Sequence, residues 1–172
     1  LSEVGNDIVI LPSETGIVKI VMKFGGSSLA TPERVTYVAR LIKKHVEQGY
    51  KPMIVCSAMG KTTNSLISAG DFDLSGQVYV EALRTMHINT INTLELSPVT
   101  VVQIDELLAE LAKLLEGIKY IGELTPRTKD ALVSFGERMS VRIVAATLNK
   151  MGVPAQAFDS WTLGMRTTSE FG

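Results

Sequence analysis

The chain has 172 residues, 45% of them apolar, with a formal net charge of −1 and a pI of about 6.2. That suffices for one domain of ordinary size, or part of a larger one, and it excludes global disorder. There is no basic excess for nucleic acid or a membrane surface, and no apolar run nears the roughly 20 residues of a membrane helix.

Residues 1–16 contain the apolar run Ile8-Val9-Ile10-Leu11 followed by Pro12 and Gly16, which predicts an edge strand or an ordered arm. Residues 17–24, IVKIVMKF, are short and rich in β-branched side chains, as a buried strand is. Gly25-Gly26-Ser27-Ser28 breaks it, and Thr31-Pro32 carries the cap and first-turn signals of a helix. Val35, Val38, Leu41, Ile42 and Val46 then mark one helix face, ending at Gly49. Residues 52–58, PMIVCSA, predict a second strand. Strand, glycine-rich loop, helix, strand is a βαβ unit, whose strands run parallel.

Helical patterning follows near 63–70, 75–94 and 100–117, with breaks at Gly70-Asp71, Ser97-Pro98 and Gly117. Thr125-Pro126 opens a long helix to about Lys150, interrupted by Gly136 and capped by Gly152. Val153–Phe158 is a third strand candidate, and the tail WTLGMRTTSEFG is loop with at most a short strand. Three strands for five helices is few for a finished α/β domain, so a sheet completed downstream is expected. A half-sheet would leave an open edge, and such a chain is expected to associate.

Two loops invite a phosphate. Gly60-Lys61-Thr62 ends like a Walker A loop, but that motif needs a glycine at position 55, which is Val55 inside the strand. The dinucleotide fingerprint also fails, because Gly25 and Gly26 are adjacent and nothing follows at the third position. Lys23-Phe24-Gly25-Gly26-Ser27-Ser28 is the better candidate. It leaves a strand at its C-terminal end and leads to a helix N-terminus, and two glycines let backbone N–H groups approach an anion. A plain strand-to-helix turn with a solvent lysine is the alternative.

KFGGSS after one strand, VCSAMGKTTN after the next and LVSFGERMSVRIVAATLNKMGV on a later helix together resemble the aspartate kinases, most of all the plant and algal type, within the amino-acid kinase superfamily. The resemblance covers about residues 18–172. It implies an α/β fold, an αβα sandwich on a mainly parallel sheet, of which this chain is the N-terminal portion. Residues 1–16 would be an arm and 17–172 the N-terminal lobe of the catalytic domain. The family's downstream arginine and aspartate motifs, adenine pocket and regulatory domains are absent, so feedback control lies outside the sequence. KFGGSS stands where the family has KFGGTS, a change that keeps the hydroxyl.

The implied reaction moves the γ-phosphoryl of ATP to the β-carboxylate of L-aspartate, opening lysine, threonine and methionine biosynthesis. A carboxylate is already ionised at pH 7, so no general base is needed. The task is to bring two anions together and to stabilise the charge. By position in the motif, Lys23 would neutralise phosphate charge and serve as the catalytic cation. Phe24, Gly25, Gly26 and Ser27 would form the ATP-binding loop. Mg²⁺ would bridge the phosphates, with no recognisable protein ligands.

Ser57 and Thr63 would donate hydroxyls to the aspartate carboxylates, and Glu137 would receive its α-ammonium. Thr63 could instead cap the 63–70 helix, and Glu137 could be an exposed helix glutamate paired with a neighbour. Lys61 reads as a solvated loop lysine, Arg138 as structural, Trp161 as packing and Cys56 as a small core residue.

A homo-oligomer is implied for the whole enzyme. The single cysteine fits a reducing compartment. The plant resemblance suggests the plastid, otherwise the cytoplasm; Leu1 in place of Met fits a cleaved transit peptide or a cloning boundary alike. Another kinase of the superfamily, or a fragment that binds a ligand or partner without chemistry, are the competing assignments, and this stretch alone is expected to be inactive.

Overall fold

The computed structural model describes residues 6–11, 18–70, 76–168 and 170. Three strands form one sheet in the order β1 (Asn6–Leu11), β2 (Lys19–Phe24), β3 (Lys51–Cys56). β1 runs antiparallel to β2, so the apolar run of the N-terminal segment is an edge strand. Pro12 and Gly16 lie outside the described residues. β2 and β3 run parallel, with Phe24 level with Cys56, as the βαβ pattern requires. The helix between them, α1 (Pro32–Glu47), starts where the sequence predicts: Thr31 is its N-cap and its side chain accepts from the Arg34 N–H.

The helices α2 (Thr62–Gly70), α3 (Gly76–Thr93), α4 (Pro98–Ile121) and α5 (Pro126–Lys150) follow. α1 and α5 pack against β3 and against each other; α2 and α4 pack on α5, and α3 packs on α4 and α2. Alternation along β2 sends Ile20, Met22 and Phe24 into the core, where they meet Val35, Val38 and Ile42 of α1 and Met139, Ile143 and Val144 of α5. Full burial of each such side chain is worth about 1.5–3 kcal/mol. The opposite sheet face is open: Val9, Met53 and Val55 are exposed there, and Lys23 shares it.

Three expectations need correction. Gly117 does not end α4, which runs on to Ile121 and stops at Gly122 in the left-handed region (φ 75°). Gly136 does not interrupt α5. Val153–Phe158 is not a strand. The Asn149 amide takes both backbone groups of Ala155, accepting from its N–H at 2.9 Å and donating to its carbonyl at 2.8 Å. Those groups are no longer free for a ladder.

The same segment is fastened again at Asp159. Its nearly buried carboxylate meets Arg142 through both oxygens, at 3.0 and 3.4 Å. Nε of Arg138 lies 3.3 Å from Oδ2 but off the line a hydrogen bond needs. Arg138 also pairs with Glu110 of α4 at 2.9 Å and lies over the rings of Phe135 and Trp161. Arg138 is therefore structural, as expected. Trp161 remains 55% exposed and serves as a platform for that guanidinium rather than as core.

His87 is fully buried on α3. Its Nδ1 meets the Leu83 carbonyl at 2.7 Å, and a carbonyl only accepts, so Nδ1 carries the proton. Nε2 then has no partner among the described residues. Burial holds the imidazole below its ordinary pKa, outweighing the carbonyl bond. Above about pH 6.5 both folded and unfolded states are neutral. Below it the unfolded chain takes the proton first, so stability falls by up to about 1.4 kcal/mol per pH unit until the folded value is reached. Denaturation curves across that range should show this slope, and His87→Leu should flatten it; an unchanged slope in the variant would assign the effect to other groups.

Candidate active site

Because β2 and β3 are adjacent and parallel, their C-terminal ends emerge side by side, the position where open α/β sheets take ligands. The loop after β2 is Gly25 followed by a 3₁₀ turn at Gly26–Leu29; the loop after β3 runs from Ser57 to Lys61. Backbone bonds join them. Ser57 N–H donates to the Phe24 carbonyl at 2.9 Å, and Gly60 N–H to the Gly26 carbonyl at 3.0 Å.

The join admits no side chain at Gly26: a Cβ there would lie 2.7 Å from the Ala58 carbonyl oxygen. Gly60 has φ 56°, a left-handed conformation that glycine adopts without steric cost. Ser28 N–H closes the first loop onto Gly25 at 3.0 Å, and Arg34 of α1 donates from Nη1 to the Ser27 carbonyl. The first N–H groups of any 3₁₀ or α turn have no intrahelical acceptor, which leaves the Gly26–Ser27 edge suited to an anion.

α5 reaches the second loop at two consecutive residues. A Cβ on Gly136 would lie 2.6 Å from Ala58 Cβ and 3.2 Å from Thr62 Cγ2, so this glycine sets how closely the helix approaches. Glu137, half-buried, accepts from the Ala58 N–H through Oε1 at 3.2 Å. A carboxylate offers about four acceptor positions, so capacity remains for a second donor.

Lys23 is exposed at the end of β2, while the Phe24 side chain is wholly buried. Phe24 therefore anchors the loop through its ring and carbonyl rather than lining it. Gly25 and Gly26 are half-buried and Ser27 exposed. Ser57 and Thr63 are half-buried on the second loop and in the first turn of α2. Thr63 is not the cap of that helix. α2 begins one residue earlier, since the Met59 carbonyl holds both the N–H and the Oγ1 of Thr62, at 3.0 and 2.7 Å. Ser65 N–H then bonds to Lys61, which stands at the cap position. Cys56 is buried, and burial pushes its thiol up to about 12, so it stays protonated and is no nucleophile. The arrangement thus sets a glycine loop with a lysine beside a hydroxyl-bearing loop held by a carboxylate.

Sequence reasoning missed Ala58 and Arg34. Ala58 gives its N–H to Glu137, its carbonyl to the contact with Gly26 and its methyl to Gly136. An alanine carries no sequence signal for such a position, and an Arg three residues after a helix cap carries none for a bond back to the preceding loop.

The amino acid kinase family model matches residues 18–170, and the chain belongs to that family. Among curated relatives, Aspartokinase 1, chloroplastic, from Arabidopsis thaliana is 43% identical over 178 residues, covering 99% of this chain and 30% of the relative. Aspartokinase 2, chloroplastic, from the same plant is 44% identical over 158 residues, covering 88% and 28%. Among solved structures, E. coli aspartokinase III in complex with aspartate and ADP (R-state) superposes with a TM-score of 0.70 at 27% identity, over 79% of this chain and 30% of that one. The chain thus spans less than a third of the length of these relatives.

Gly136→Ala tests the seating of the loop on α5. The forced contact should cost about 1–3 kcal/mol, against a gain of at most about 1 kcal/mol in helix propensity. Urea denaturation should therefore show a net loss of stability; a gain would mean that the loop does not rest on this helix.

Proposed function

We propose that the chain forms the N-terminal part of the catalytic domain of an aspartate kinase, which transfers the γ-phosphoryl of ATP to the β-carboxylate of L-aspartate. One observation carries this: the KFGG loop and the SAMGKTTN loop are bonded to each other, with Glu137 on the second. Donor and acceptor sites then share a border. The names of the relatives support the reaction, and the aspartate and ADP of the E. coli complex support the two ligands.

In this assignment Lys23 and the Gly25–Ser27 N–H groups hold the phosphates. Ser57 and Thr63 donate to the aspartate carboxylates, and Glu137 binds the α-ammonium while it steadies Ala58. The β-carboxylate oxygen attacks the γ-phosphorus, the bond to the bridging oxygen of ADP breaks, and no proton moves. Catalysis is positioning plus electrostatic stabilisation. Magnesium would arrive on the ATP phosphates; among the described residues no cluster of three or more His, Cys, Asp or Glu is placed to hold it. The chloroplastic relatives support a plastid location. Among the described residues no helix is long and apolar enough to cross a membrane.

A chimaera decides the matter: this chain replaces the matching stretch of Arabidopsis aspartokinase 1, and the acyl phosphate is trapped with hydroxylamine. Turnover with Mg-ATP and aspartate is expected, and none from the 172-residue chain alone. Glu137→Ala should raise the aspartate KM roughly ten- to hundredfold, the worth of a charged hydrogen bond, with little change for ATP. An unchanged aspartate KM would remove Glu137 from the site. A folded chimaera that phosphorylates a different amino acid and not aspartate would overturn the substrate.

A further inference from the structure

Lys61 follows Gly60, whose N–H donates to the carbonyl of Gly26. The only lysine of the second loop therefore stands one residue from the backbone of the glycine loop, with its side chain in solvent. That single bond holds the two loop backbones side by side, within reach of a flexible four-carbon lysine stem. Lys23 is exposed at the other end of the same glycine loop, and Arg34 donates to its Ser27 carbonyl. None of these three cations makes an ion pair among the described residues. Of the acids around the two loops, Glu137 accepts from the Ala58 N–H, Glu33 lies beside the Thr31 cap, and Asp7 is the register partner of Lys23 on β1.

We propose that Lys61 is a second phosphate-contacting cation of this site, acting with Lys23 from the facing loop. The inference rests on the assignment of residues 23–27 as the phosphate cradle. It reverses the view of Lys61 as an idle loop lysine. The loop that holds the amino acid then also touches the nucleotide, so one rigid element meets both reactants. Lysine suits the task as a mobile point charge that follows the phosphates as charge redistributes among them. Its contribution is exposed, hence modest and sensitive to salt.

The test compares Lys61→Met, Lys61→Arg and Lys23→Met. Binding of Mg-ATP and of inorganic tripolyphosphate to the 172-residue chain is measured by calorimetry, and the ATP and aspartate KM in the Arabidopsis chimaera. Lys61→Met should weaken tripolyphosphate binding and raise the ATP KM roughly fivefold, the effect of one exposed charge contact. The aspartate KM should hold, Lys61→Arg should restore most of the loss, and added potassium chloride should shrink the difference. If Lys23→Met loses ATP and Lys61→Met does not, the proposal for Lys61 is overturned and the cradle stands. If neither variant affects ATP, the cradle itself is misassigned. If the chain alone binds neither probe, the ATP KM of the chimaera decides, and an unchanged value overturns the proposal. A Lys61→Met loss that persists at high salt, or that falls equally on aspartate, also overturns it.

Discussion

The site depends on two parallel strands ending at the same level. Phe24 and Cys56 are register partners, so the loops that follow start side by side, and the bonds from Ser57 to Phe24 and from Gly60 to Gly26 make them one body. Everything placed on either loop inherits that constraint. α5 then fixes the pair from one side, through a glycine that permits contact and a glutamate that accepts from the peptide of Ala58. The bond from the Ala58 N–H to Glu137 is worth about 1.5–3 kcal/mol, enough to matter for the seating of the loop.

This geometry answers the main difficulty of the proposed reaction. Two anions must meet within bonding distance, and misplacement by about 1 Å can cost a hundredfold in rate. Separate loops moving independently would meet that tolerance poorly. A glycine loop and a hydroxyl-bearing loop joined by backbone hydrogen bonds would instead hold the proposed donor and acceptor sites in one arrangement. The fixed parts are apolar or backbone: Ala58, Gly26, Gly60, Gly136 and the buried ring of Phe24. The charged parts, Lys23, Arg34 and Lys61, stand in solvent at the edge.

Strong local signals made the sheet and helix order legible in the sequence. The βαβ unit, the caps at Thr31 and Thr125 and the stop at Gly152 follow from propensity and stereochemistry. What failed needed long-range information. Val153–Phe158 has strand composition, but the Asn149 amide occupies the backbone of Ala155, and no local pattern announces that. Gly136 reads in the sequence as an interruption of the helix, yet its reason, the methyl of Ala58, lies 78 residues earlier in the chain. Motif order identified which residues to watch. It could not show that the cradle and the acceptor loop touch, because that contact is made by the backbone.

The contrast between Glu137 and Lys61 follows from the same architecture. Glu137 is half-buried and already bonded to the Ala58 peptide, so in the proposed site it serves the amino-acid side of the pair of loops. The Lys61 side chain is exposed and makes no hydrogen bond or ion pair among the described residues, so changing it removes charge and leaves the backbone bonds of the loop intact. In the proposed reaction, a half-buried acceptor on a helix would define where the amino acid sits. In that proposal, exposed cations at the loop edges would set how strongly polyphosphate is drawn in, and at what salt. The proposed division leaves geometry to packed and backbone-bonded groups and charge neutralisation to exposed ones, which would suit a transfer in which the negative charge shifts between phosphates while the acceptor stays in place.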